Sequence, residues 1–99
     1  MVVVWQLALD IIQDVRGTLA MYLFIIEESI QTLGMAIYQA KKSNRTDLVR
    51  ELAQYTLDNV ITPAIAFCNT YGMATYPLNQ AYWIFYDSSK KLMETYLAE

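Results

Sequence analysis

The sequence predicts an all-α protein: a helical bundle of three to four helices that forms a single domain over residues 1–99. Three observations predict this class. Apolar residues recur at helical spacings of three and four, and no useful run alternates as a half-buried strand would. The chain has only three glycines and two prolines, and these stand where helices can end or bend.

A single long helix is predicted from Val2 to Lys42, because no turn signal interrupts this segment. Such a helix spans about 60 Å, whereas a compact domain of this length is only about 35 Å across. It must therefore bend or break near Gly17 or Gly34, or a partner must cover the part that overhangs. The expected buried stripe is Ala8, Ile12, Val15, Leu19, Tyr22, Ile26, Ile30, Leu33 and Ile37.

Two further segments complete the predicted bundle. After a loop over residues 43–46, Thr46 is expected to cap a helix that breaks or kinks near Pro63. Gly72 is a natural C-terminal cap, and Thr75–Pro77 opens the last helix. The expected buried positions of these segments are Val49, Ala53, Thr56, Val60, Ala64, Phe67 and Tyr71, followed by Leu78, Tyr82, Phe85, Ser89, Leu92 and Tyr96.

Leu19–Ile26 and Tyr82–Tyr86 are apolar around their whole circumference, and Met21, Phe24 and Met35 interrupt the polar side of the first helix. One apolar stripe is enough for a helix of a small bundle, so the extra face predicts a homodimer. The eight tyrosines suit half-buried seams and interfaces, although a bulky aromatic core would also explain them. The predicted interface residues are Leu19, Tyr22, Leu23, Phe24, Ile26, Tyr82, Trp83, Phe85 and Tyr86.

The composition argues against an enzyme. The chain has no histidine, the commonest general base and metal ligand, and its single cysteine, Cys68, is expected in the core. Asp10 and Asp14 share one helix face and could hold a divalent cation, but a solvated face is the simpler interpretation. We therefore predict no catalytic residue, no metal site and no cofactor, and the leading function is a protein-interaction or structural module.

The first alternative is a dimer that binds nucleic acid. Four of the seven basic residues lie within ten positions. They are Lys41, Lys42, Arg45 and Arg50. Clustered cations bind phosphate, but the net charge of −3 and the carboxylates within the same segment favour an exposed connection between helices.

The second alternative is a protein that binds a membrane surface through an exposed apolar helix face. No transmembrane segment is predicted, because a span needs about 20 predominantly apolar residues and the longest apolar stretch is shorter. The start, Met-Val-Val-Val-Trp, lacks the basic residues of a signal peptide. These features lead us to expect a mature, soluble chain.

In its whole composition the sequence resembles the small orphan α-helical proteins of filamentous, lipid-enveloped viruses of archaea from hot acidic springs. The shared features are the Met-Val-Val-Val start, abundant tyrosine, the acidic balance, the absence of histidine and a length near 100. This resemblance implies a heat- and acid-tolerant dimer of the host cytoplasm or the virion, with a role in virion assembly or host interaction. Since few carboxylates can titrate, we expect helicity to persist down to about pH 3.

Overall fold

The computed structural model describes the backbone of residues 2–99 and the side chains of residue 14 and residues 16–99. Over that part of the chain the structure is all-α, with no strand, which confirms the predicted fold class and the long N-terminal helix. The elements are α1 (Val2–Lys42), α2 (Thr46–Thr56), a π-helical segment (Leu57–Ile61), α3 (Thr62–Thr70), the short α4 (Gly72–Thr75) and α5 (Leu78–Ala98).

Three long helical stretches lie side by side. A short turn reverses the chain after α1, so α2 and α3 run antiparallel to it. The helix α5 runs parallel to α1, because Arg16 contacts Tyr76 just before α5 begins and Lys41 contacts Glu99 just after it ends. The short α4 therefore closes the end of the bundle near Arg16, and the turn after α1 closes the other end.

The first helix is continuous through Gly17 and Gly34, and a β-carbon at either glycine would meet no neighbouring atom within 4 Å. The molecule measures 65 × 18 × 17 Å. The length of α1, about 60 Å, accounts for the longest of these dimensions. Because Arg16 already lies at the end of the bundle, residues 2–15 continue about 20 Å beyond it. Of the two expected alternatives, a break in the helix or an overhang beyond the bundle, the structure shows the overhang.

The buried core extends along all three stretches and is largely aliphatic, with Tyr86 as its largest side chain. Two of the expected stripes are displaced by one residue. In α1 Leu23 is buried and Tyr22 is exposed, and in α5 Leu78 and Leu92 are exposed although both were expected inside. The displacement in α1 occurs where the helix is apolar all round, because helical spacing then fits two neighbouring stripes equally well. In α5 the buried residues Asn79, Tyr86 and Met93 each lie one position beyond the expected one, while Ser89 is buried as expected.

The expected interruption near Pro63 takes the form of the π-helical segment Leu57–Ile61. The N–H of Thr62 bonds to the carbonyl five residues earlier, and the chain stays helical on both sides. Because Pro63 has no N–H to donate, it cannot complete an α-helical ladder, and the wider π turn accommodates it. The extra residue aligns the buried residues of α2 and α3 on one face, namely Val49, Ala53, Thr56, Ile61, Ala64 and Cys68.

This extra residue also explains where the predicted stripe failed. Val60 and Phe67 were expected inside and are only half-buried, since the positions one residue further along face the core instead. A stripe written with purely α-helical spacing cannot include a step of five residues. The prediction therefore holds before the π-helical segment and, after it, holds at Ala64 but fails at Phe67 and at Tyr71, which is exposed.

The turn after α1 is a Schellman motif. The N–H of Arg45 bonds to the carbonyl of Ala40 at 2.9 Å, and the N–H of Asn44 bonds to the carbonyl of Lys41 at 3.1 Å. Asn44 has a φ of 60°, the left-handed conformation that the motif requires and that asparagine tolerates better than most residues. This turn fixes the antiparallel return of α2.

Two predicted caps are wrong. Thr46 is the first residue of α2 and makes no capping hydrogen bond, because the preceding Schellman motif already sets the boundary. Gly72 begins α4 and does not have a positive φ, since α3 ends at Tyr71, whose φ of −110° and ψ of 23° lead directly into α4. Pro77 directly precedes α5, close to the expected start of the last helix.

Candidate interaction surfaces

Four large apolar side chains of α1 point away from the bundle and form the outer face of α1. They are Met21, Phe24, Ile25 and Met35, which are 59%, 46%, 51% and 71% exposed. Their spacings correspond to whole helical turns, so they lie in one strip, opposite the buried stripe. A shallow groove lined by Asp14, Gly17 and Thr18 continues this strip toward the N-terminus of the bundle. No described residue of the chain covers the strip.

The structure divides the predicted interface residues into three groups. Three are buried in the core of the single chain and offer no surface to a partner: Leu23, Ile26 and Tyr86. Four are half-buried between helices: Leu19, Tyr82, Trp83 and Phe85. Two are exposed: Tyr22 and Phe24. The exposed strip therefore contains only part of the predicted set, together with the methionines that interrupt the polar side of the helix.

The aromatic segment of α5 is mostly used inside the bundle. The hydroxyl of Tyr86 donates to the carbonyl of Leu23 at 3.3 Å, and the hydroxyl of Tyr82 donates to the carboxylate of Glu27 at 3.0 Å. Burial raises the pKa of both phenols, and the neighbouring Glu27 carboxylate raises the pKa of Tyr82 further. Ile84 is the exception at 70% exposure, and it stands among polar residues of α5.

A second uncovered apolar surface lies at the end of the bundle closed by α4. This uncharged tip consists of Tyr71, Met73, Tyr76 and Leu78, and Met73 is 94% exposed. Arg16 is the cation at this end: its Nε donates to the carbonyl of Ala74 at 3.1 Å and its Nη2 to the carbonyl of Tyr76 at 3.0 Å. The guanidinium thereby satisfies backbone carbonyls that would otherwise face solvent.

Sequence analysis missed the uncharged tip, although a signal exists. Residues 59–86 contain no lysine, arginine, aspartate or glutamate. Tilted aromatic contacts connect the tip to α1, because the ring centroid of Phe67 lies 4.6 Å from that of Tyr22 and 4.8 Å from that of Tyr71. The long uncharged run could have indicated this surface, but which of its residues are exposed depends on how the helices pack.

The basic cluster lies at the opposite end of the bundle and is partly neutralised. The Nζ of Lys41 lies 3.3 Å from a carboxylate oxygen of Glu99 and 5.4 Å from the ring centroid of Tyr96. The Nε of Arg45 lies 3.5 Å from the carboxylate of Asp47. These groups surround a pocket of about 310 Å³ next to the start of α2. We refer to this region as the charged end.

Lys42 and Arg50 are exposed and form no ion pair with any residue whose side chain is described. Two of the four clustered cations are thus available to an external anion, while the other two already have carboxylate partners. Binding through phosphates depends on the number of cations that neutralise them. The nucleic-acid alternative remains a prediction, which a steep fall of affinity with salt would test.

The carboxylates do not form a site in the described part of the chain. Asp14 is exposed beside the outer face of α1, and the side chain of Asp10 lies outside the described residues. Among the described residues, no group of three or more carboxylate or cysteine side chains could hold a metal ion. Cys68 is buried, and burial raises the pKa of its thiol, so it is a neutral core residue at pH 7.

One part of α1, Arg16–Lys42, is long and apolar enough to cross a membrane by length and composition alone. Its most apolar window has a mean hydropathy of 1.2, and only 22% of that window is buried in the bundle. Core helices of soluble proteins meet the same criterion. The expectation that the chain has no transmembrane segment therefore stays a prediction.

No protein family, no curated protein and no solved structure matched this chain. The resemblance to archaeal virus proteins thus stays a prediction from composition. The function must be argued from the two uncovered apolar surfaces and the charged end.

Proposed function

We propose that this chain is a non-enzymatic helical interaction module that acts as a homodimer. The outer face of α1 carries this proposal, because it leaves several large apolar side chains in contact with water. Fully burying such a side chain contributes about 1.5–3 kcal/mol. The side chains of the strip are already partly covered, so burying the rest of their surface would stabilise a complex by a few kcal/mol before its entropic cost.

A second copy of α1 fits this strip well. The strip runs along one continuous helix, so two antiparallel copies can cover each other over several turns, and two-fold pairing is the commonest closure of a self-complementary surface. Glu28 is exposed and lies between Phe24 and Met35. Two copies would therefore cross near Met21 and Ile25, where they avoid placing like charges together. Gly17, which has open space around it, permits close approach there.

Sedimentation equilibrium of the full chain tests the proposal. The wild type is expected to be a dimer at micromolar concentration, and Phe24→Lys is expected to be a monomer with unchanged helicity. Ile84→Lys is the matched control, because it places the same charge at an exposed apolar residue outside the outer face. A monomeric wild type at micromolar concentration would refute the homodimer.

The composition supports a more specific setting for this module. If the resemblance to proteins of filamentous viruses of thermoacidophilic archaea reflects the origin of the chain, the dimer would act in virion assembly or host interaction. Detection of the chain in purified virus particles or in complex with a host protein would test this setting. The absence of the gene from such viruses would remove it and leave the dimer proposal intact.

A further inference from the structure

We propose that the uncharged tip docks on the surface of a lipid membrane. The surface consists of Tyr71, Met73, Tyr76 and Leu78, at the end of the bundle closed by α4. It is distinct from the outer face of α1, so membrane docking and homodimer formation are separate properties.

Charge is segregated along the long axis of the molecule. The tip and the buried helices behind it come from the uncharged run of residues 59–86, and residues 17–26 of α1 are also uncharged. Six of the seven basic residues occur in the half of the bundle that contains the charged end. Removing a charge from water is the largest cost of entering a bilayer interface. The four exposed side chains of the tip carry no charge, and the exposed Arg16 beside them has a long side chain that keeps its guanidinium at the level of the headgroups.

The exposed side chains of the tip suit the boundary between lipid headgroups and hydrocarbon. Tyrosine is enriched at that depth because its ring is apolar and its hydroxyl is polar, and Met73 and Leu78 supply purely apolar surface. Arg16 already satisfies the carbonyls of Ala74 and Tyr76. The turn before α5 can therefore leave bulk water without losing these hydrogen bonds.

A membrane fits the tip better than a second copy does. The bundle has a cross-section of 18 × 17 Å, about 300 Å², whereas stable protein pairs bury about 800 Å² on each partner. Shallow insertion by about 5–10 Å needs no such area. In addition, the backbone of residues 2–15 continues past the tip; in the sequence this segment carries two charges, Asp10 and Asp14, and residues 2–9 carry none. Two copies meeting end to end would have to accommodate both overhangs, whereas a bilayer can receive the uncharged residues 2–9.

Flotation of the full chain with neutral phosphatidylcholine vesicles tests the proposal. The wild type is expected to float, and raising the salt concentration should have little effect because no ionic attraction is involved. Met73→Lys is expected to reduce the vesicle-bound fraction about tenfold at limiting lipid. Ile84→Lys, which adds the same charge to an exposed residue away from the tip, should float like the wild type.

A site-specific measurement accompanies this test. The single native cysteine is buried, so a Met73→Cys variant can be labelled selectively with a polarity-sensitive fluorophore, with Ile84→Cys as its control. Vesicles should shift the emission of the probe at position 73 to the blue and leave the probe at position 84 unchanged. The proposal is overturned if the wild type does not float, or if Met73→Lys floats as the wild type does. It is likewise overturned if Met73→Lys dissociates a lipid-free dimer while no variant binds vesicles.

Discussion

The two ends of this bundle are built in opposite ways. At the charged end a Schellman motif satisfies the last carbonyls of α1, and Lys41 and Arg45 have carboxylate partners within 4 Å. At the uncharged tip Met73 is almost fully exposed, and among the side chains that the structure describes Arg16 is the one that makes a polar contact between α1 and the turn before α5. At the charged end the last carbonyls of α1 and two of the cations thus have partners within the chain, whereas the tip and the adjoining outer face of α1 expose apolar surface.

This difference indicates where function resides. Exposed ion pairs contribute about 0–1 kcal/mol to the free energy of unfolding, so removing those of the charged end should change the stability little. Exposed apolar side chains gain stability when they are covered, and they are concentrated in the other half of the molecule. Substitutions that affect stability or association should therefore have larger effects behind the tip than at the charged end.

The largest expected difference between the two ends comes from creating a cavity in the core behind the tip. Leu23→Ala removes a completely buried side chain that packs beneath Tyr86, and we expect a loss of about 3 kcal/mol of unfolding free energy. Lys41→Ala removes an exposed ion pair at the charged end and should cost about 0.5 kcal/mol or less. Urea denaturation in the Phe24→Lys background separates these effects from association. Equal losses for the two variants would contradict the comparison.

A second test uses alkaline pH. Burial raises the pKa of Tyr82 and Tyr86, so the neutral phenols stabilise the fold below the ordinary tyrosine pKa of about 10. This stability is lost as pH rises above 10 toward the raised pKa values, because unfolding then permits ionisation. Tyr86→Phe should cost about 1 kcal/mol at pH 7 and lose less stability between pH 9 and pH 11.

The measurement is unfolding free energy as a function of pH, with tyrosinate absorbance recorded in parallel. Tyr38→Phe is the control, since Tyr38 is exposed and its substitution should leave the alkaline profile as in the wild type. An unchanged alkaline profile in Tyr86→Phe would show that the buried phenol does not set the transition.

At the charged end the backbone of Asn44 is expected to matter more than any side-chain charge. Alanine tolerates a φ of 60° less well than asparagine, because it lacks the side-chain amide that can form local hydrogen bonds in this conformation. Asn44→Ala should therefore lower the free energy of unfolding by about 1 kcal/mol. Asn44→Gly should be as stable as the wild type or more stable by up to about 0.5 kcal/mol of unfolding free energy, because glycine adopts this conformation freely. Thermal unfolding compares both with Ser43→Ala, and a more stable Asn44→Ala would contradict the assigned turn.

The smallest effect is expected at acid pH. A hydrogen bond from the backbone N–H of Leu48 and the nearby Arg45 lower the pKa of Asp47. The ionised carboxylate of Asp47 therefore contributes to the stability of the fold above the ordinary aspartate pKa, and this contribution is lost as pH falls through the lowered pKa. All three ion pairs among the described residues are exposed, so this loss should be small. Circular dichroism should show helicity preserved to about pH 3, with Asp47→Asn showing a still flatter profile. A cooperative loss above pH 4 would refute acid tolerance.

The long helix, its end near Lys42 and the interruption near Pro63 could all be predicted, because helical spacing and turn residues are local signals. The choice between neighbouring stripes, such as Tyr22 against Leu23, could not, since packing against α5 decides it. Proline indicated an interruption but not its hydrogen-bonding pattern.

The uncharged run of residues 59–86 could have indicated an apolar surface, but local signals do not show which of its residues are exposed at the tip. At the tip Arg16 contacts carbonyls 58 and 60 residues further along the chain, and no spacing rule connects positions so far apart. The outer face of α1 lies between these cases. Met21, Phe24 and Met35 could be recognised as anomalies, whereas Ile25 is identified by its exposure in the folded bundle.

The π-helical segment before Pro63 has a consequence for how the length of this chain can change. Deleting one residue from the interior of an α-helix rotates everything beyond it by about 100° and turns the buried side outward. Deleting Asn59 together with a Pro63→Ala substitution would instead convert Leu57–Ile61 to α-helical spacing and leave Ile61 and Ala64 facing inward. A homologue that is one residue shorter at this point and lacks the proline could therefore keep the same interior, whereas a shortened α1 could not.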